Sequence, residues 1–225
     1  MVTVGRGATQ SVSDQISAMG TNQLVVRPGQ RRGSGANTPK FKQKDVDLIR
    51  TQVTGIAGVA PYSTLSATVI FQAKNYTTLI TGTTNDFFTV GNWVLQSGRQ
   101  FYDSELNSGK ASCILGTTVK NKLFGKENPQ GQRIRVKQFT CEVIGVLESK
   151  GQSTWGTDQD DNVLMPLKTV HRRLLGSLDI ERIAVKVADS KKISITQEKI
   201  TELIRQSRRL PDNMENDFRV LDMRQ

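Results

Sequence analysis

One order of elements occurs at both ends of this chain, and that repetition limits its fold more than any other feature. Near the C-terminus, Ile183-Ala184-Val185-Lys186-Val187 reads as a strand, Thr196 to Arg208 as a helix, Pro211 as a break and Phe218-Arg219-Val220-Leu221 as a second strand. Near the N-terminus, Asn22 to Arg27 (NQLVVR) reads as a strand closed by Pro28-Gly29. A helix over Gln43 to Val53 follows, with Val46, Ile49 and Val53 on one face, and then a third strand, so residues 22–62 share the strand–helix–strand order. If the two β-α-β units pair, they form one α+β subdomain interrupted by whatever lies between them, and both chain ends leave from it.

What lies between is richer in β-structure. Thr68-Val69-Ile70-Phe71 and Tyr76-Thr77-Thr78-Leu79-Ile80 read as a hairpin across Ala73-Lys74-Asn75. Residues 132–148 alternate, with Ile134 and Val136 on one face of a strand and Phe139, Cys141 and Val143 in the next, around Lys137-Gln138. Two short echoes, Ile80-Thr81-Gly82-Thr83-Thr84 and Ile114-Leu115-Gly116-Thr117-Thr118, each place a glycine after a strand and threonines able to cap the helix that follows. Val163-Leu164-Met165 returns as a strand, and Pro166 opens a helix carrying Val170, Leu174 and Leu175 that stops at Gly176. Ahead of all this, Ala8, Val12, Ile16 and Met19 recur at helical spacing up to Gly20.

Charge and composition narrow the functions. The chain holds 31 Lys+Arg against 21 Asp+Glu, a formal charge of +10 that favours an anionic partner. The basic clusters lack the interleaved aromatics of a single-strand-binding sheet, which argues against nucleic acid. No apolar run reaches the roughly 18 residues of a membrane span, and MVTVGRGATQSVSDQ has no apolar stretch of signal-peptide length. Cys113 and Cys141 form no CxxC pair, which argues against a zinc or thiol-redox motif. The sole histidine, His171, reads as a surface helix position, which leaves no histidine for a nucleophilic triad. Walker, GxGxxG, HExxH and GxSxG patterns are absent, and no catalytic, cofactor-binding or metal-binding residue is assigned.

The stretch GTDQDDNV, residues 156–163, is the one concentration of acid in this basic chain. Counted as an EF-hand from Asp158, it has Val163 where the glycine belongs and Thr169 where the bidentate glutamate belongs. Three adjacent exposed acids also lack the burial and separation that acid–base chemistry needs. It is expected to be a structural or interaction loop, with Trp155 as an apolar anchor beside it.

In order along the chain, GRGATQSVSDQISAMGTNQLVVRPG, ITGTTNDFF, LQSGRQF, ILGTTVKNKLFG, NPQGQRIRV, FTCEVIGVLESKG, DQDDNVLMPL and DFRV resemble the extracytoplasmic domain of MacB-type ABC transporter permeases, exporters of macrolides, peptides and toxins. The resemblance implies an α+β fold: a stalk helix over 1–20 continuing a membrane helix, a porter-like subdomain over 21–84 and 177–225, and an inserted small α/β (Sabre-like) subdomain over 85–176. It implies a periplasmic domain of an inner-membrane protein, between the first two of four membrane helices in each subunit of a homodimer. The fragment itself is expected to be monomeric and non-enzymatic, with ATP and magnesium bound on an ATPase domain outside these residues. It further implies a periplasmic adaptor (membrane fusion) protein as partner, an outer-membrane channel reached indirectly, and no nucleic acid. The segment from Arg27 to Lys44 is expected to be a mobile loop, has no acidic residue, and offers Arg31, Arg32, Lys40, Lys42 and Lys44 as its partner contacts. Cys113 and Cys141 lie in strands of the insertion, where an extracytoplasmic location permits a disulfide; two buried free thiols are the alternative. Two other readings stay open: a lipoprotein-release or envelope-signalling permease of the same superfamily, and a freestanding basic binding protein.

Overall fold

The computed structural model describes residues 22–29, 38–153 and 156–224, so the expected stalk helix, Arg31, Arg32 and Trp155 lie outside the described residues. The chain divides into two compact units. One holds the described residues through Val59, then Phe88–Asn92 and those from Arg182 onward; the other holds Ala60–Phe87 and Trp93–Glu181.

In the first unit, β1 (Gln23–Pro28) lies between β9 (Arg182–Val187) and β10 (Phe218–Asp222), antiparallel to both. The C-terminal β-α-β unit is therefore split by a strand from the other end of the chain. Its crossover is α6 (Ile193–Ser207), which buries Ile193, Thr196, Ile200 and Ile204 at helical spacing and packs on β10, β1 and α1 (Gln43–Gln52). The helix starts three residues earlier than the sequence predicts, because Asp189 accepts a hydrogen bond from the Lys191 amide and caps a 3-10 turn leading into it. Leu24, Val26, Val46, Ile49 and Phe218 fill the core of this unit.

The second unit is built on β2 (Ile56–Phe71) from Ala60 onward, hairpin-paired with β3 (Lys74–Thr83). The turn is Gln72-Ala73, one position tighter than expected, with Gln72 in the left-handed region at φ 52°. β3 runs parallel to β8 (Asn162–Pro166), β8 antiparallel to β5 (Ser112–Leu115), and β5 parallel to β7 (Phe139–Leu147). β7 also carries β4 (Leu95–Gly98) and β6 (Arg133–Val136), and β6 pairs in turn with β2, which closes the circuit of strands. Residues of these strands join Val119, Leu123 and Phe124 of α4 (Thr117–Phe124) in one buried cluster. Ala60 to Thr84 thus belong with this unit and not with the first, where the sequence places them, because β2 and β3 hydrogen-bond to β6 and β8.

The two threonine echoes do not cap their helices. Thr117 Oγ1 donates to the Leu147 carbonyl at 2.9 Å and Thr118 Oγ1 to Asp158 at 2.7 Å, while Thr83 and Thr84, ahead of α2 (Asp86–Gly91), make no side-chain hydrogen bond. Glycine is required here for a different reason. A Cβ on Gly116 would lie 2.1 Å from the Asp160 carbonyl oxygen, and one on Gly82 would lie 2.7 Å from Val170.

Candidate functional site

The acidic stretch is pinned by internal hydrogen bonds, and its middle carboxylate is buried, contrary to the exposure expected from sequence. Asp160 is 4% exposed and accepts from Ser149 Oγ, from the Lys150 amide at 2.8 Å and from the Gly151 amide at 3.0 Å. Asp158 accepts from Thr118 Oγ1 and, at 2.9 Å, from the Asp160 amide. Asp161 accepts from Thr78 Oγ1 at 2.6 Å and from the Tyr76 hydroxyl at 3.1 Å; burial first, and then this carboxylate, push the phenol's pKa up. The three carboxylates serve three separate sets of donors. No cluster of three or more His, Cys, Asp or Glu able to hold a metal occurs among the described residues. The sequence missed this burial because Gly, Ser and Thr around an acid signal an exposed loop, whereas closure of the loop between β7 and β8 brings the Lys150 and Gly151 amides to Asp160.

His171 is likewise interior, at 5% exposure, and not on the surface. Its Nε2 is 2.8 Å from Ser63 Oγ, and that hydroxyl donates its one hydrogen to the Asp179 carbonyl at 2.8 Å. Nε2 therefore carries the hydrogen and donates to the serine. A serine in this arrangement has no base to activate it, so the pair ties elements together and does no nucleophilic chemistry. The helical period of PLKTVHRRLLG itself puts His171 four residues after Leu167 and beside Val170 of α5 (Leu167–Val170), on the buried face, and the burial was missed because histidine was read as a polar surface residue; a π-helical turn over His171–Leu175 follows.

A further internal ion pair escaped sequence reasoning. Glu105, 3% exposed at the start of α3 (Asp103–Ser108), accepts from Arg99 at 2.8 and 3.1 Å, from Ser112 Oγ at 2.7 Å and from the Tyr102 amide at 2.8 Å. The arginine contact, opposed by burial and helped by the other donors, lowers its pKa to about 2. In the same unit Cys113 of β5 and Cys141 of β7, both buried, meet in disulfide geometry with Cα atoms 6.0 Å apart.

The first unit has an internal ion pair of its own. Arg208 forms an ion pair with Asp217 at 2.6 Å, donates to the Pro39 carbonyl at 3.1 Å and lies over the rings of Phe41 and Phe218. Lys42 donates its amide to Asp45 at 2.9 Å, opening α1. Residues 38–44 are therefore held in place, in contrast to the mobile loop expected there, and they carry Lys40, Lys42 and Lys44 exposed to solvent. On the sheet of the same unit, Arg27 and Arg219 are also exposed, and directly opposite each other. These arginines and lysines form the candidate interface.

Two α+β units whose interior ion pairs and buried carboxylates, among the described residues, are engaged in holding the fold define a scaffold with cationic side chains at its surface. The comparisons agree. The model of the MacB-like periplasmic core domain matches residues 1–203, and the chain belongs to that family. The macrolide export ATP-binding/permease protein MacB of Bdellovibrio bacteriovorus is 31% identical over 99% of this chain, and that of Nitrobacter winogradskyi is 37% identical over 91%. The chain spans about a third of the length of these relatives, 35% and 31%. Among solved structures, the periplasmic region of MacB from Actinobacillus actinomycetemcomitans superposes with a TM-score of 0.77 at 23% identity, covering 95% of this chain and 94% of that one. The extracellular domain of the noncanonic ABC-type transporter YknZ from Gram-positive bacteria gives 0.73 at 21% identity, covering 89% of this chain and 100% of that one. The fold is thus the α+β fold of MacB-like periplasmic domains, and the chain is a periplasmic domain of an ABC transporter permease.

Proposed function

We propose that this domain transmits ATP-driven motion in an exporter of drugs, peptides or toxins, standing between the first two membrane helices of a dimeric inner-membrane permease. The observation that supports this most is the family match over residues 1–203, joined to a structure whose buried polar groups are used in holding the fold together. ATP and magnesium belong on an ATPase domain outside these residues, and the domain itself is not an enzyme. Its partner is a periplasmic adaptor leading to an outer-membrane channel, met through Lys40, Lys42 and Lys44 together with Arg31 and Arg32, where long-range attraction speeds encounter.

The test neutralises those five residues together in the complete transporter. Salt-sensitive adaptor association and export should both fall while thermal unfolding stays unchanged. Parental association and export in the folded variant would end the reading of this segment as the adaptor contact. The transporter reading itself requires apolar runs of about 20 residues flanking this stretch in the complete gene.

A further inference from the structure

The sheet of the first unit contains an arrangement that works against its own stability. Arg27 of β1 and Arg219 of β10 are register partners, and the bonds from the Gly29 amide to the Asp217 carbonyl and from the Met223 amide to the Gln23 carbonyl set the phase of the ladder. In that phase Arg27 and Arg219 form a hydrogen-bonded pair, with Cα atoms about 5.5 Å apart and both side chains on one face. Like charges directly opposite each other are destabilising. Both arginines are exposed, and no acidic side chain among the described residues pairs with either.

The same face continues, two residues on, to Leu221 and then Met223, 38% and 46% exposed. Helices α1 and α6 pack with Leu24, Val26 and Phe218 on the opposite face. Toward β9 this face is covered: Val25, the register partner of Leu221, is 3% exposed, and Lys186 donates to the Thr89 carbonyl at 3.1 Å and to the Asn92 side chain. The outer edge of β10 is blunted as well: Gln197 donates to the Val220 carbonyl at 2.8 Å, which takes up an acceptor that an added strand would need. What remains is a cationic pair followed at strand spacing by two apolar side chains.

We propose that this open face of β1 and β10 docks an acidic, extended segment of a partner protein. A carboxylate of that segment lies on the Arg27–Arg219 pair, and an apolar residue lies two positions along, against Leu221 and Met223. Two guanidinium groups held side by side suit a carboxylate, which accepts from both in charge-assisted bonds and removes their mutual repulsion. The apolar neighbours favour a peptide over a nucleic acid, which would call for aromatic stacking. This inference stands on the sheet geometry alone, so its failure leaves the transporter reading, which the flanking sequence tests, untouched.

Fluorescence anisotropy of the purified 225-residue chain with a labelled peptide alternating glutamate and leucine tests it. Saturable binding is expected, weakened about tenfold or more in Arg27→Gln/Arg219→Gln, and weakened also in Leu221→Asn. Removing the same charge elsewhere, in Arg172→Gln/Arg173→Gln, should change binding by less than about twofold. Equal losses in the two double variants would mean diffuse attraction and overturn the site. Absence of peptide binding would also overturn it, and so would sedimentation with phosphatidylglycerol vesicles through Arg27 and Arg219 without peptide binding, which would reassign the face to lipid headgroups.

Discussion

The two units satisfy their interior ion pairs alike, Arg208 with Asp217 in the first and Arg99 with Glu105 in the second, and differ in what the sheet of the first leaves exposed. In the second, Glu105 lies against Arg99, Ser112 and the Tyr102 amide, and Asp160 takes two backbone amides and a hydroxyl. In the first, Arg27 and Arg219 face each other on the sheet, and no acid among the described residues pairs with them. A buried carboxylate surrounded by donors is a fastener, whose loss leaves several hydrogen-bonding groups unsatisfied at once. An exposed arginine facing another arginine stabilises nothing in the isolated fold, which leaves binding as the physical reason to place it there. The contrast yields a rule for this molecule: substitutions at its satisfied charges should cost stability, and those at its unsatisfied charges should cost association.

The largest expected effect breaks the fastener side without touching a charge. The Cys113–Cys141 bridge closes a loop with a sequence separation of 28, and Cys113→Ser/Cys141→Ser should destabilise the second unit by about 3 kcal/mol in denaturant unfolding. Mass spectrometry of unreduced protein from the native compartment should find no free thiol, and two free thiols there would remove the bridge from the account. Asp160→Asn comes next. It places an amide NH2 among the donors of Lys150, Gly151 and Ser149, and a loss of about 2 kcal/mol is expected.

Glu105 gives a pH signature. Its folded pKa of about 2 lies below the ordinary glutamate value of 4.5, so its contribution is complete above that ordinary value and fades as pH falls through the folded pKa. Because Arg99 is partly exposed, the contribution is about 1–2 kcal/mol, and Glu105→Gln should flatten the acid limb of the stability profile between roughly pH 5 and 2. The smallest effect has the opposite sign. Relieving the repulsion in Arg27→Thr/Arg219→Thr should leave stability unchanged or raise it by about 0.5 kcal/mol. A clear loss would show that the pair is structural after all, and would dissolve the contrast between the units.

Local pattern made much of the fold legible. The hairpin over 132–148 was visible because Ile134, Val136, Cys141 and Val143 alternate with exposed residues, and the helix over Gln43 to Val53 because Val46 and Ile49 recur at its period. The split β-α-β order at the chain ends followed from the same signals. What stayed hidden depended on distant partners. Nothing near Asp160 marks it as buried, because the loop between β7 and β8 must close on itself before the amides of Lys150 and Gly151 reach it. The requirement at Gly116 reads as a turn in sequence, yet it comes from the Asp160 carbonyl packed against its Cα. The cationic candidate site was half legible: Lys40, Lys42 and Lys44 are adjacent in sequence, whereas Arg27 and Arg219 meet only through the register of β1 with β10.

The interior position of the lone histidine has one more consequence. Histidine is the only side chain whose ordinary titration falls between about pH 5 and 8, and here it is 5% exposed and engaged by Ser63. The cationic surface of this domain, made of arginine and lysine, therefore keeps a constant charge across that range. A compartment that acidifies within that range would leave the charge of those arginines and lysines as it was, and acid sensitivity of its associations there points to a histidine on the partner.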